Sequence, residues 1–122
     1  MQNPDSWEIC RGKKILLKAK EEDPVQTLII SVSDTSSILI DYKEAPSNVK
    51  WKRDFIFKTG TDSILHHFSF TYSTGKFRLP VPGLSQLIDR HGPVTLLTEQ
   101  HPAKEDVMIR SKMLVLAVFQ KK

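Results

Sequence analysis

The side chains best suited to metal ligation or covalent chemistry are four histidines, His66, His67, His91 and His101, and one cysteine, Cys10. A structural zinc site draws four Cys or His ligands in close pairs, and these five residues lack that spacing. His66 and His67 are adjacent, so on a strand they point to opposite faces and do not share one ion. No metal site is expected. The five glycines are isolated, and neither G-x-G-x-x-G nor the Walker pattern occurs. There is no G-x-S-x-G elbow, and Cys10 lies in an apolar stretch where a thiol is usually inert packing material. The expectation is a binding protein without a cofactor, and not an enzyme.

Charge supplies the stronger signal. Eighteen Lys and Arg against fourteen Asp and Glu give a net +4, and the excess is clustered. Arg11, Lys13, Lys14, Lys18 and Lys20 fall within ten residues without an acid, and Glu21-Glu22-Asp23 follows at once. A second group is Lys50, Lys52, Arg53 and Lys58, with Trp51 set among its cations. Such clusters attract phosphate on a peptide, a lipid or a nucleic acid. An aromatic among cations also suits a membrane interface or a stacked base. Against this, +4 is modest for a dedicated nucleic-acid binder, and solvated lysines are the ordinary occupants of a protein surface.

These residues must be carried by strands. Trp7 to Cys10 and Ile15 to Leu17 are apolar and separated by a turn or kink at Gly12-Lys13-Lys14. Pro24 ends the second stretch. Thr27 to Ser33 is β-branched and reads as a buried central strand, with Ile38 to Tyr42 as its hairpin partner across the turn Asp34 to Ser37. Val49 to Phe57 alternates strictly. Lys50, Lys52 and Asp54 take one face, and Val49, Trp51, Arg53, Phe55 and Phe57 the other. Arg53 is the misfit on the apolar face, read as an exposed stem covering Trp51. Ile64 to Tyr72 follows, with Phe68, Phe70 and Tyr72 on one face and a hairpin at Ser73 to Lys76 leading into Phe77-Arg78-Leu79. Leu84, Leu87, Ile88 and His91 recur at helical spacing, with Gly92-Pro93 as a stop. Val94 to Thr98 and Met113 to Phe119 read as further strands, and Ala103 to Ile109 as a brief helix or loop.

At 122 residues the chain makes one domain with one core, residues 1–6 being loose. The expected class is α+β, a mainly antiparallel sheet of six or seven strands with one or two short helices. The connections are too short for the crossovers of a doubly wound parallel sheet. With 39% apolar and 26% charged residues and no apolar run near the ~18 of a membrane span, the composition is that of a globular domain. The single cysteine and the absence of a signal-peptide pattern point to the cytoplasm or nucleus. The apolar C-terminal strand closing on two lysines is compatible with an excised piece of a larger protein.

Two stretches resemble the Src homology 2 family of phosphotyrosine-binding modules. Ile15 to Asp34 is similar to that family's Phe-Leu-Val-Arg-Glu-Ser strand, phosphate-binding loop and following Leu-Ser-Val strand. Leu65 to Phe70, Gly75 to Leu79 and Leu84 to His91 resemble its His-Tyr strand, hairpin and Leu-x-x-Leu-Val-x-x-His helix. The resemblance covers a little under half the chain. It implies Lys18 in the place of the phosphate-binding arginine and His67 in that of the strand histidine framing the pocket. The chain departs from the family in four respects. Lysine lacks the arginine fork, Glu21-Glu22-Asp23 would repel a dianion, the first family helix has almost no room before Ile15, and residues 35–64 are longer than the family's connection.

The leading expectation is therefore a non-enzymatic interaction module binding a peptide or protein, with a degenerate phosphate site at Lys18, Lys20 and His67 and Arg78 nearby. The second is a pleckstrin-homology-like β module binding anionic lipid or nucleic acid through Lys50, Trp51, Lys52 and Arg53. The third is a structural subunit offering a strand edge to a larger assembly.

Overall fold

The computed structural model describes residues 4–30, 37–46, 50–102 and 112–121. Among them are nine strands and one helix: β1 (Ser6–Arg11), β2 (Lys14–Lys20), β3 (Thr27–Ile30), β4 (Ile38–Lys43), β5 (Trp51–Thr59), β6 (Ile64–Phe70), β7 (Gly75–Leu79), α1 (Leu84–His91), β8 (Val94–Pro102) and β9 (Lys112–Lys121). They build a β-rich fold of two sheets, ordered β2-β1-β4-β7 and β3-β9-β8-β5-β6, rather than one sheet of six or seven strands. All pairings are antiparallel except that of β3 with β9.

Alternation explains why the sheets face one another. On β5, Arg53, Phe55, Phe57 and Thr59 are buried while Lys52 and Asp54 turn outward. On β4, Ile38, Ile40 and Tyr42 point inward, and on β7 Phe77 and Leu79 do. The inward faces meet through aromatic rings, with Phe77 of the first sheet 4.8 Å from Phe55 and 4.9 Å from Phe70 of the second. Edge-on pairs of this kind add to area burial, and cutting one such phenylalanine to alanine costs about 3–5 kcal/mol. Trp7 of β1 ties the other side, its indole N–H donating to the Leu116 carbonyl of β9 at 3.3 Å. The helix lies against β8 and β9, with Leu84, Ser85 and Ile88 buried. It ends as expected at Gly92, whose N–H bonds the Ile88 carbonyl at 2.8 Å and whose φ of 84° turns the following chain out of the helix.

Arg53 corrects the sequence reading most sharply. It is not an exposed stem over Trp51: 1% of its surface is accessible, and its guanidinium carbon lies 3.8 Å from the centre of the Tyr42 ring in the opposite sheet. Its Nε donates to the Ser73 carbonyl at 2.8 Å and its Nη1 to Thr98 Oγ1 at 3.1 Å, while Nη2 stands 3.7 Å from Glu44 Oε2. Tyr42 in turn donates its hydroxyl to Asp5 at 2.7 Å, and Asp5 also accepts from the Ala45 amide at 2.6 Å. Burial pushes the Tyr42 phenol well up despite Arg53, and burial also lowers the Arg53 pKa against the pull of Tyr42, Asp5 and Glu44. Asp5 and Ser6 are consequently anchored rather than loose.

Other pairings differ from expectation. β3 is an edge strand with Ile29 58% exposed, and its neighbour is β9, not β4. A β-branched run reads as buried in sequence, yet here only alternate residues turn inward, Leu28 packing against the core. The Ser73–Lys76 segment is no hairpin turn, because β6 and β7 belong to different sheets and the chain crosses between them at residues 71–74. Tyr72 lies outside β6 but stacks on Phe77 at 4.6 Å. The turn at Asp34–Ser36 and the Ala103–Ile109 element lie outside the described residues.

Replacing Arg53 with alanine is expected to cost about 3–5 kcal/mol, because Glu44 and the Ser73 carbonyl lose their cation. Arg53→Met combined with Glu44→Gln should recover most of that loss. Urea unfolding midpoints at unchanged m report both; a loss under 1 kcal/mol for Arg53→Ala would show that the network does not hold the sheets together.

Candidate functional site

The outer face of the four-stranded sheet carries most of the charged residues singled out in the sequence. Register places Lys18, Glu8, Asp41 and Lys76 in one row across β2, β1, β4 and β7, and Lys20, Ser6 and Lys43 in another. Between them lies a groove of about 250 Å³ lined by Ser6, Trp7, Glu8, Lys18, Ala19, Lys20, Asp23, Asp41 and Lys43. Three lysines thus stand against three carboxylates. Lys18 Nζ is 3.3 Å from Glu8 Oε1, and Lys20 Nζ is 3.9 Å from Glu22 Oε1. With the Lys18 side chain 66% exposed, its ion pair is worth about 0–1 kcal/mol and yields readily to a ligand.

The acidic run is built into the turn that closes β2. Asp23 accepts from the Lys20 amide at 2.9 Å, and the Glu21 amide donates to the Asp5 carbonyl at 2.8 Å. The Glu21 and Asp23 amides are thus spent on the Asp5 and Lys20 carbonyls instead of being offered to a phosphate.

His67 does not join Lys18 and Lys20. It is on the outer face of the other sheet, where its Nε2 lies 2.9 Å from Asp54 Oδ2. The hairpin expected at Ser73 to Lys76 would have put the two regions in one sheet, and its absence separates them. Arg78 does share the sheet of Lys18. It is exposed on β7, one row beyond Lys76 and opposite Leu39.

The proposed basic patch also divides. Lys50 and Lys52 are exposed and Trp51 is half-buried, while Arg53 points into the core and contributes nothing to an outer ligand site. The internal bonds to Ser73 and Thr98 are the reason. Lys52 lines a shallow depression of about 360 Å³ with Asp54, Ser69, Phe70, Thr71 and His101.

In that depression Asp54 Oδ2 accepts from two imidazoles, His67 at 2.9 Å and His101 at 3.2 Å. Burial pushes the Asp54 carboxyl up, but hydrogen bonds from His67 and Ser69 and the charges of His101 and His67 outweigh it, leaving its pKa below the usual carboxylate value. Ser69 and the two imidazoles all converge on the carboxylate. A hydrolytic triad needs the imidazole between hydroxyl and carboxylate, so this arrangement does not activate the serine. His101 had no assigned role in the sequence because β8 brings it beside Asp54 from 47 residues away. Among the described residues no group of three or more His, Cys, Asp or Glu side chains is arranged to hold a metal ion. Cys10 is buried at 8% exposure on the outer row with Leu39, and burial, then Glu8 and Asp41, push its thiol pKa up. No helix among the described residues is long and apolar enough to cross a membrane.

Comparison with protein-family models, curated proteins and solved structures finds no match to this chain.

Two outcomes follow from these environments. Because the folded pKa of Asp54 is depressed, its stabilising contribution is full above the ordinary aspartate pKa of about 3.9 and is lost as pH falls through the lower folded value. Thermal midpoints between pH 2 and 6 should therefore show wild type ahead of Asp54→Asn at the upper end and converging with it at the acid end. Cys10 should react with a thiol reagent at neutral pH far more slowly than in urea; equal rates would contradict its burial.

Proposed function

We propose that this chain is a non-enzymatic interaction module that binds a partner protein through an extended segment laid across the outer face of the four-stranded sheet. The observation carrying this reading is the groove in which Lys18, Lys20 and Lys43 face Glu8, Asp23 and Asp41. Balanced charges suit a segment with both acidic and basic side chains, since the Lys18–Glu8 pair such a segment would replace is exposed and of small worth. A phosphotyrosine at Lys18 is less favoured, because the same groove presents carboxylates to a dianion and lysine has no planar fork. The lipid or nucleic-acid reading is also less favoured, since Arg53 is removed from its patch and Lys52 sits beside Asp54.

Selection of peptides from a displayed library against the whole chain tests the proposal. Selected peptides should carry both charges, bind equally with tyrosine phosphorylated or not, and lose about tenfold or more in affinity to Lys18→Glu with Lys43→Glu, while the thermal midpoint moves little. Unchanged affinity in the double variant would overturn the groove assignment. Binding only of tyrosine-phosphorylated peptides would restore the phosphate site at Lys18.

A further inference from the structure

Four of the described strands end the two sheets, and three of them are blunted. β2 carries exposed Lys14, Lys18 and Lys20, β7 carries exposed Lys76 and Arg78, and β3 is four residues long. Charge and shortness are the usual protections of a strand whose outer N–H and C=O groups are unpaired. β6 has neither. It runs seven residues, Ile-Leu-His-His-Phe-Ser-Phe, without Lys, Arg, Asp, Glu, Gly or Pro, and no described strand pairs with its outer edge. Its one irregularity is at Leu65, which the ladder steps over between Phe57 opposite His66 and Lys58 opposite Ile64. The regular edge is therefore His66 to Phe70. Phe68 and Phe70 pack against the core opposite Phe55 and Arg53, yet both stay partly exposed where the sheet ends. His66 stacks on Phe68 at 5.9 Å, so three rings line the inner rim, while His67 and Ser69 are exposed on the outer face.

We infer that β6 is a dimerisation edge, pairing antiparallel with β6 of a second copy of this chain about a two-fold axis at Phe68. Directly opposite residues of an antiparallel ladder share a face, so a two-fold centred on one residue keeps both inner faces on the same side of the joined sheet. Centred at Phe68, it sets Phe68 against Phe68 of the second copy, His66 against its Phe70, and His67 against its Ser69. Every inner pair is then aromatic, the outer pairs join a hydroxyl to an imidazole, and no like charges meet. This match of the segment to its own reverse selects a second copy over a foreign strand. The pairing also consumes both open edges, so the assembly closes at two chains and joins two five-stranded sheets into one of ten. A five-residue ladder is only about 17 Å long, which makes the interface small and the dimer reversible. The groove of the proposed function lies on the other sheet, and the inference does not depend on it.

The test is sedimentation velocity of the full chain at rising concentration. Monomer should give way to dimer and to nothing larger. His67→Lys with Ser69→Lys changes only exposed side chains and sets lysine opposite lysine twice across the joint, which should weaken the dimer by about tenfold or more. His67→Lys with Ser69→Glu turns both contacts into opposite-charge pairs and should restore it. Lys18→Glu with Lys43→Glu, on the other sheet, should leave it unchanged. Circular dichroism of each variant confirms that the fold is retained. Monomer at every concentration overturns the inference. So does a dimer indifferent to the paired lysines, one that the lysine–glutamate combination fails to restore, or association that runs on past two chains.

Discussion

A guanidinium held between two sheets is the constraint on which the architecture turns. Arg53 rises from the inner face of β5, stacks against Tyr42 of the opposite sheet, and bonds the carbonyl of Ser73 where the chain crosses from one sheet to the other. Taking a cation out of water costs several kcal/mol and calls for bonded donors and a nearby anion, a demand met by hydrogen bonds at Nε and Nη1, whereas Nη2 faces Glu44 Oε2 at 3.7 Å and neither atom has a hydrogen-bond partner. That requirement places Ser73, Thr98, Glu44 and Tyr42 around it, and Tyr42 carries the demand on to Asp5. One buried charge thus ties β5, β8, the β6–β7 crossing, β4 and the start of β1. The apolar packing around Phe55, Phe70 and Phe77 supplies most of the burial energy, whereas the polar network selects which segments meet.

That internal arrangement determines what the outside can offer. With Tyr42, Ile40 and Ile38 turned inward, Asp41 and Leu39 must face out, and the same alternation on β1, β2 and β7 presents Glu8, Lys18, Lys76 and Arg78 to solvent. The outer face is accordingly graded along the strands. One end holds lysines and carboxylates in balance, and the other holds arginines beside Leu39. The opposite sheet presents Asp54 shared by His67 and His101, an arrangement that spends its polar groups on each other.

Much of the local structure was legible. The alternation of Trp51 to Phe57, the helix at Leu84 to His91 with its Gly92 stop, and the apolar strand near the C-terminus rest on side-chain periodicity, which backbone geometry imposes without knowledge of neighbours. Strand partnership was not legible. A short turn after β6 reads as a hairpin, yet the chain at Ser73 crosses to the other sheet because Arg53 and the aromatic cluster hold it there. The family resemblance grouped His67 with Lys18, and the crossing leaves the two on different sheets. The charge at Arg53 was visible as a misfit on an apolar face, but its solution depended on Tyr42, Glu44 and Thr98, which are distant or unremarkable in sequence. The cationic cluster from Arg11 to Lys20 was seen as one patch, whereas strand register divides it between the groove and a hollow shared by Arg11, Leu39 and Arg78.

The most direct measurement is a map of backbone amide shifts in the labelled chain as a selected peptide is added. The account predicts shifts concentrated in residues 6–11, 14–20 and 38–43 and at Arg78, with the amides of β6 and of Lys52 and His101 unmoved. Shifts centred instead on Lys50, Lys52, His67 and His101 would contradict it and place recognition on the five-stranded sheet.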